Sequence, residues 1–212
     1  CKKAFCGDGV LWQNVEQCDD GNKNDDDACS NQCKCGLLTF EDPSQIQGWQ
    51  RNGGWGLYTE APPSQQEPWP IVFQSRGTVF GTDGNRSQPY PGGEVENSQA
   101  ITTPFKVPAK ITFLSWHVDE GSHPYDTETI GLSLNGGQSW LMLVDCEQDI
   151  NPQTFCQQRN QRGADDWDSI VLDTAAWQGQ TGILRFTYNT GDDCCDFERG
   201  WFIDNGKFRS CQ

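Results

Sequence analysis

The chain is short of the residues on which most enzymes, membrane proteins and nucleic-acid binders rely. It carries 2 histidines, 1 methionine, and 15 Lys and Arg against 30 Asp and Glu, giving a formal net charge of −15 over 212 residues. Phosphate-backbone binding needs clustered Lys and Arg to displace counterions, so the acidic excess excludes a nucleic-acid partner. No apolar run approaches the roughly 20 residues of a helical membrane span or the core of a signal sequence. The sequence reads as a mature chain or a fragment. Sustained 3.6-residue apolar periodicity is absent, which removes helical folds from consideration. Also missing are a Gly-x-Ser-x-Gly elbow, an H-E-x-x-H pair and a phosphate loop. No catalytic residue is therefore assigned, and the expectation is a protein that is not an enzyme.

Cysteine, by contrast, is plentiful at 11 residues. With only His117 and His123 as nitrogen ligands, and no two C-x-x-C knuckles facing each other, zinc does not fit. Bridges formed in an oxidising compartment do, which places the chain outside the cell or on a cell surface. An odd count leaves Cys1 over. An acylated N-terminal cysteine, the one route to a membrane, and a plain chain boundary are equal readings.

Between Cys6 and Cys33 the apolar supply is Val10, Leu11, Trp12, Val15 and Ala28. So small a payload does not offset ordering costs of roughly 1–2 kcal/mol per residue, so staples must replace a core. Cys6, Cys18, Cys29 and Cys33 supply disulfides. The runs Asp19-Asp20-Gly21-Asn22 and Asn24-Asp25-Asp26-Asp27 supply hard oxygen ligands on Gly/Asn turns. That donor set suits calcium rather than zinc, with Asp19, Asp20, Asn22, Asp25 and Asp27 as candidate ligands. The elements Cys6-Gly7-Asp8-Gly9, Glu16-Gln17-Cys18-Asp19-Asp20-Gly21-Asn22 and Asp27-Ala28-Cys29-Ser30-Asn31-Gln32-Cys33 resemble one copy of the Myxococcus cysteine-rich repeat. That family is similar in style to the small Notch-type and pappalysin repeats. The resemblance implies an extracellular spacer or recognition module over residues 1–35, with no catalytic role.

From Gly36 the acidic density falls and short β-type segments alternate with Gly, Pro and Asn turns. Candidate strands are 37–40, 55–58, 71–73, 100–102, 111–118, 129–134, 140–145, 169–173, 183–188 and 201–208. Residues 59–97 read as long loops around one or two strands. The expected fold is all-β: a small disulfide-rich calcium-binding repeat followed by a single β-sandwich over residues 36–212. Phe40-Glu41-Asp42, Gly48-Trp49, Phe113-Leu114-Ser115-Trp116 and Gly200-Trp201-Phe202-Ile203-Asp204-Asn205 resemble jelly-roll modules of the MAM and galactose-binding-like type. Such modules occur on bacterial secreted peptidases and adhesins. The resemblance implies a calcium ion shared between Glu41 and Asp204 on neighbouring strands.

Several constellations remain. Ser133 to Trp140 fits the Asp-box pattern, which is structural: Asn-Gly supplies the positive φ angles of a tight hairpin, and Trp140 packs back over it. His117 and Asp119 share a strand face next to a turn, and with Tyr125 and Asp126 they form a candidate ligand contact, although a solvated strand end explains them as well. Asp193 joins them from the loop 192–196, which in the jelly-roll family precedes the last strand. Cys194 and Cys195 either bridge each other or reach distant partners. Cys146 with Cys156 would close a short insertion, and Cys35 with Cys211 would bracket the sandwich, one assignment among many.

The function expected is a calcium-stabilised adhesion or recognition module that binds carbohydrate or a cell-surface protein. The alternatives are a self-associating subunit of an extracellular fibre or surface layer, and an accessory domain of a larger secreted peptidase or glycosidase. An ion that binds only the folded state stabilises it by about 2.7 kcal/mol at a hundred times its dissociation constant. Chelation is therefore expected to lower the melting temperature, and Asp204→Asn to remove part of that response. Identical melting with calcium and with chelator would leave these carboxylates as solvating groups only.

Overall fold

Along the tenth strand, Leu184, Phe186 and Tyr188 are buried while Ile183, Arg185, Thr187 and Asn189 are half-exposed. This two-residue period is that of a strand with one face on a core. The computed structural model describes residues 5–10, 12, 15–16, 19, 21, 23, 31–33, 38–41, 43–59, 77–82, 97–118, 126–146, 150, 167–190 and 200–208.

The strands are β1 (Gln50–Arg51), β2 (Gly56–Thr59), β3 (Thr78–Thr82), β4 (Asn97–Ile101), β5 (Phe105–Lys106), β6 (Lys110–Val118), β7 (Asp126–Ser133), β8 (Leu141–Asp145), β9 (Asp168–Asp173), β10 (Thr181–Thr190) and β11 (Gly200–Lys207). They form two antiparallel sheets. The larger runs β1-β4-β10-β7-β8, with β5 also paired to β10, and the smaller runs β2-β3-β11-β6-β9. Setting aside β1, β2 and β5, every connection except the β7–β8 hairpin crosses between sheets, so that β3-β11-β6-β9 faces β4-β10-β7-β8. This is the double Greek-key order of a jelly roll. The protein is an all-β sandwich, as its sequence indicates.

The core lies between the sheets and is largely aromatic. Phe80 of β3 stacks on Phe40 with ring centroids 5.4 Å apart and on Trp55 at 5.3 Å, and meets Trp49 edge-on at 5.0 Å. Trp55 continues to Trp201 at 5.5 Å, and Trp201 to Phe186 at 5.7 Å. Trp201 also satisfies its buried indole N–H by donating to Ser115 Oγ at 2.9 Å.

Most expected strands coincide with observed ones, with ends shifted by a few residues. Two differ in kind. The 37–40 segment contributes a single bridge, Leu38 to Gly206. It stops there because Phe40 has φ 60° and gives its N–H to Gln45 Oε1 at 2.6 Å. Trp140 falls outside β8 and closes the turn before it. Strands β1 and β5 fall outside the expected segments, β3 is a strand within the 59–97 stretch expected to hold one or two, and 71–73 lies outside the described residues. The domain boundary at 35–36, together with Cys18, Cys29, Cys35, Cys156, Cys194, Cys195 and Cys211, also lies outside them. Cys6 bridges Cys33 with Cα atoms 5.5 Å apart. Cys146 is also in a disulfide.

Gly81 shows how tightly β3 meets β11. A Cβ there would stand 2.4 Å from the Trp201 carbonyl oxygen and 2.8 Å from Phe202 Cα. Both are backbone atoms of a paired strand, and they have no rotamer by which to retreat. Gly81→Ala is expected to destabilise by about 1–3 kcal/mol, the usual cost of overpacking, read as a lower urea midpoint at unchanged slope.

Candidate functional site

The outward residues of the larger sheet follow from its register. Because Ala100, Ile130, Val144, Leu184 and Phe186 enter the core, their neighbours along each strand point away from it. One row across the sheet pairs Gln50, Ile101, Arg185, Gly131 and Met142. The next pairs Gln99, Thr187, Thr129 and Asp145. A third pairs Asn97, Asn189 and Thr127. The first row thus mixes Arg185 with apolar residues, and beyond it amides and hydroxyls stand on adjacent strands up to Asp145. Asn52 pins one end of the face, donating its N–H to the Gln99 carbonyl at 3.1 Å and accepting the Gln99 N–H on Oδ1 at 2.7 Å.

The smaller sheet is finished differently. Val79, Trp116 and Phe202, pointing away from the shared core, are themselves buried and pack with Tyr58 and Trp167. Of the two outer faces, that of the larger sheet is the polar one.

The Asp-box hairpin stands over this polar face. Ser133 Oγ accepts the N–H of Gly137 at 2.8 Å. Asn135 Oδ1 accepts the Ser139 N–H at 3.0 Å, while its Nδ2 donates to Ser139 Oγ at 2.8 Å. The positive φ angles fall on Gly136 (69°) and Gly137 (92°), not on Asn135 and Gly136. Asn135 keeps an ordinary backbone because its side chain is the hub of the turn. The knot carries Trp140 back over Gly131, where a Cβ would lie 3.1 Å from Trp140 Cε3. Trp140 in turn supports Arg185, whose guanidinium carbon is 4.3 Å from the ring centroid. Burial lowers the Arg185 pKa from its ordinary value, yet an arginine remains a cation at neutral pH. Arg185 Nε and Thr187 Oγ1 are both buried without a hydrogen-bond partner.

Of the residues that the sequence marks for ligand contact, His117 and Asp126 are described, and both stand near strand ends. The backbone of His117, in β6, is paired with Trp201, and Asp126, at the start of β7, is paired with Thr190. Val118 is likewise paired with Gly200. The stems of segments 118–126 and 190–200 therefore leave the sandwich from the same end. Asp119, Tyr125 and Asp193 lie outside the described residues. What the sequence reading missed is the face itself. Its one visible signal is Arg185, a charge set between Leu184 and Phe186 in a strongly apolar strand.

Among the candidate calcium ligands, Asp19 is bound to backbone. Its Oδ2 accepts the N–H groups of Gly7 at 2.9 Å and Asp8 at 3.2 Å, and its Oδ1 those of Gly9 at 2.8 Å and Gly21 at 2.9 Å. Four donors occupy the roughly four acceptor sites of a carboxylate, and four converging N–H dipoles repel a cation. Glu16 and Cys33 are the groups within metal-binding reach of Asp19 among the described residues. However, Cys33 is in a disulfide, and Glu16 accepts the Trp12 N–H at 2.8 Å. This trio does not fit calcium. Asp20, Asn22, Asp25 and Asp27 lie outside the described residues. Asp204 is buried and accepts the Asn205 N–H at 2.7 Å, while Glu41 accepts the Thr78 N–H at 3.0 Å. The β3–β11 ladder ends at Ile203–Phe80, and just past that end Glu41 reaches Thr78 while Leu38 bridges Gly206, so Glu41 and Asp204 lie at the same end of the smaller sheet.

No family model and no curated protein matches the chain. Among solved structures, it is similar to the K1 cleaved adhesin domain of Lys-gingipain from Porphyromonas gingivalis W83, at 14% identity and TM-score 0.49, over 77% of this chain and 91% of that one. It is also similar to a carbohydrate-binding module, CBM28, specific for non-crystalline cellulose, at 10% identity and TM-score 0.42, over 78% and 88% of the two chains. A third is CBM27-1 of Caldicellulosiruptor saccharolyticus, solved with mannohexaose, at 13% identity and TM-score 0.39, over 82% and 96%.

Partial burial acts to raise the Asp19 pKa, but the hydrogen bonds from Gly21, Gly9, Gly7 and Asp8 outweigh it and hold the value below the ordinary 3.8. A depressed carboxylate contributes stability that is present above its unfolded pKa and is lost as pH falls through the folded one. The amide resonances of Gly7, Gly9 and Gly21 are expected to titrate together, with a midpoint below that of an unfolded aspartate. A shared midpoint at or above the ordinary aspartate value would contradict the clamp.

Proposed function

We propose that the chain is a non-catalytic recognition module, extracellular or on a bacterial surface, that binds carbohydrate on the outer face of its larger sheet. The observation that carries this reading is the registered array of Gln99, Thr187, Asn189 and their row neighbours beside a fixed tryptophan. Sugars offer hydroxyls that both donate and accept, and amide and hydroxyl side chains answer in kind. They also offer apolar C–H faces, which suit an indole ring. Groups held on strands keep their spacing better than groups on loops. A general acid and base must reach one reacting bond together. Arg185 and the buried Asp145 are the charged groups in these rows, and they do not make such a pair. In this reading Glu41 and Asp204 hold a stabilising calcium ion, and residues 6–33 serve as a disulfide-tied spacer of the cysteine-rich repeat type.

Gln99→Ala combined with Asn189→Ala tests the assignment. A glycan array is expected to give binding by the parent chain and at least a tenfold loss in the double variant, with melting temperature unchanged. Two hydrogen bonds at about 0.5–1.5 kcal/mol each account for a loss of that size. Undiminished glycan binding by a folded double variant would move the site off this face.

A further inference from the structure

We propose that Arg185, seated on Trp140, reads a carboxylate, so that the module prefers glycans in which an isolated acidic sugar stands among neutral ones. The proposal rests on the carbohydrate reading above and names the ligand class of the same face.

The chain holds 30 acidic residues against 15 basic ones, so a surface arginine has no shortage of partners. Arg185 takes none among the described residues. Its one contact of that kind is the Trp140 ring at 4.3 Å, and its Nε is buried with no acceptor. A planar guanidinium with unused donors is the usual reader of a planar carboxylate. The position is also built. β10 is the middle strand of the order β1-β4-β10-β7-β8, and the missing side chain of Gly131 gives Trp140 its seat. The Ser133–Asn135–Ser139 knot holds that ring from behind. Two residues along the same face, Thr187 Oγ1 is likewise buried without a hydrogen-bond partner. A net charge of −15 opposes a polyanion. A single carboxylate in contact with Arg185 is attracted locally, whereas charges beyond about 8 Å are screened at physiological ionic strength. The ligand is therefore sparsely rather than densely charged.

Matched pairs of oligosaccharides test this by calorimetry: glucuronate-substituted xylotetraose against its carboxyl-reduced form, and sialyllactose against its carboxyl-reduced form, with sulfated lactose as a further arm. In each pair that binds, the acidic member is expected to bind about tenfold more tightly, the scale of one charge-assisted pair. Arg185→Gln should bring that ratio within twofold at unchanged melting temperature, and Arg185→Lys, which keeps the charge without the fork, should fall between. Equal affinities within pairs, with binding that still depends on Gln99 and Asn189, would overturn the carboxylate subsite and leave the carbohydrate reading standing. Sulfated lactose binding as well as sialyllactose would overturn the choice of carboxylate. No binding to any oligosaccharide of the panel would overturn both.

Discussion

Trp55 is the residue through which the two sheets know each other. It follows β1, which belongs to the larger sheet, and precedes β2, which belongs to the smaller. Its ring meets Phe80 at 5.3 Å on one side and Phe186 at 6.1 Å on the other. Phe80 and Phe186 sit on β3 and β10, so one indole fixes the spacing of a strand from each sheet. Such aromatic contacts add about 0.5–1.5 kcal/mol each beyond the area they bury. Their larger effect is on register. With Phe186 held inward, Arg185, Thr187 and Asn189 have no choice but to face out, and a slip by one residue would reverse them all.

The long strands were legible because their residues alternate or are uniformly apolar, as in the segments around Phe113, Leu184 and Trp201. Strand β3 was hidden by Gly81, which weakens any strand signal, although the glycine is there because Phe202 and its backbone leave no room for a side chain. At Phe40 the local sequence looks extended, and tertiary packing of the ring into the core overrides it at a positive φ. The polar face was not legible for another reason. Gln99, Thr129 and Asn189 are ordinary outward residues when read one at a time, and only the pairing of distant strands gathers them.

The acidic module makes the same point about chemistry. Aspartates on Gly-rich turns suit a hard cation by composition, yet among the described residues both oxygens of Asp19 are taken by backbone donors. What decides between the two is backbone conformation. Gly7, Gly9 and Gly21 have φ of 87°, 82° and 76°, angles that aim successive N–H groups at one point and form a nest for an anion. Here the anion is part of the chain.

The Cys6–Cys33 bridge also has a mechanical meaning. Its Cα atoms are 5.5 Å apart across a sequence separation of 27, whereas that much chain drawn straight would span roughly 90 Å. A pull applied to the polypeptide on either side passes through the sulfur atoms and bypasses the loop they enclose. The Asp19 clamp inside that loop carries no tension. Under load, the distance between whatever lies before Cys6 and the sandwich that follows Cys33 would therefore gain almost nothing from the enclosed residues.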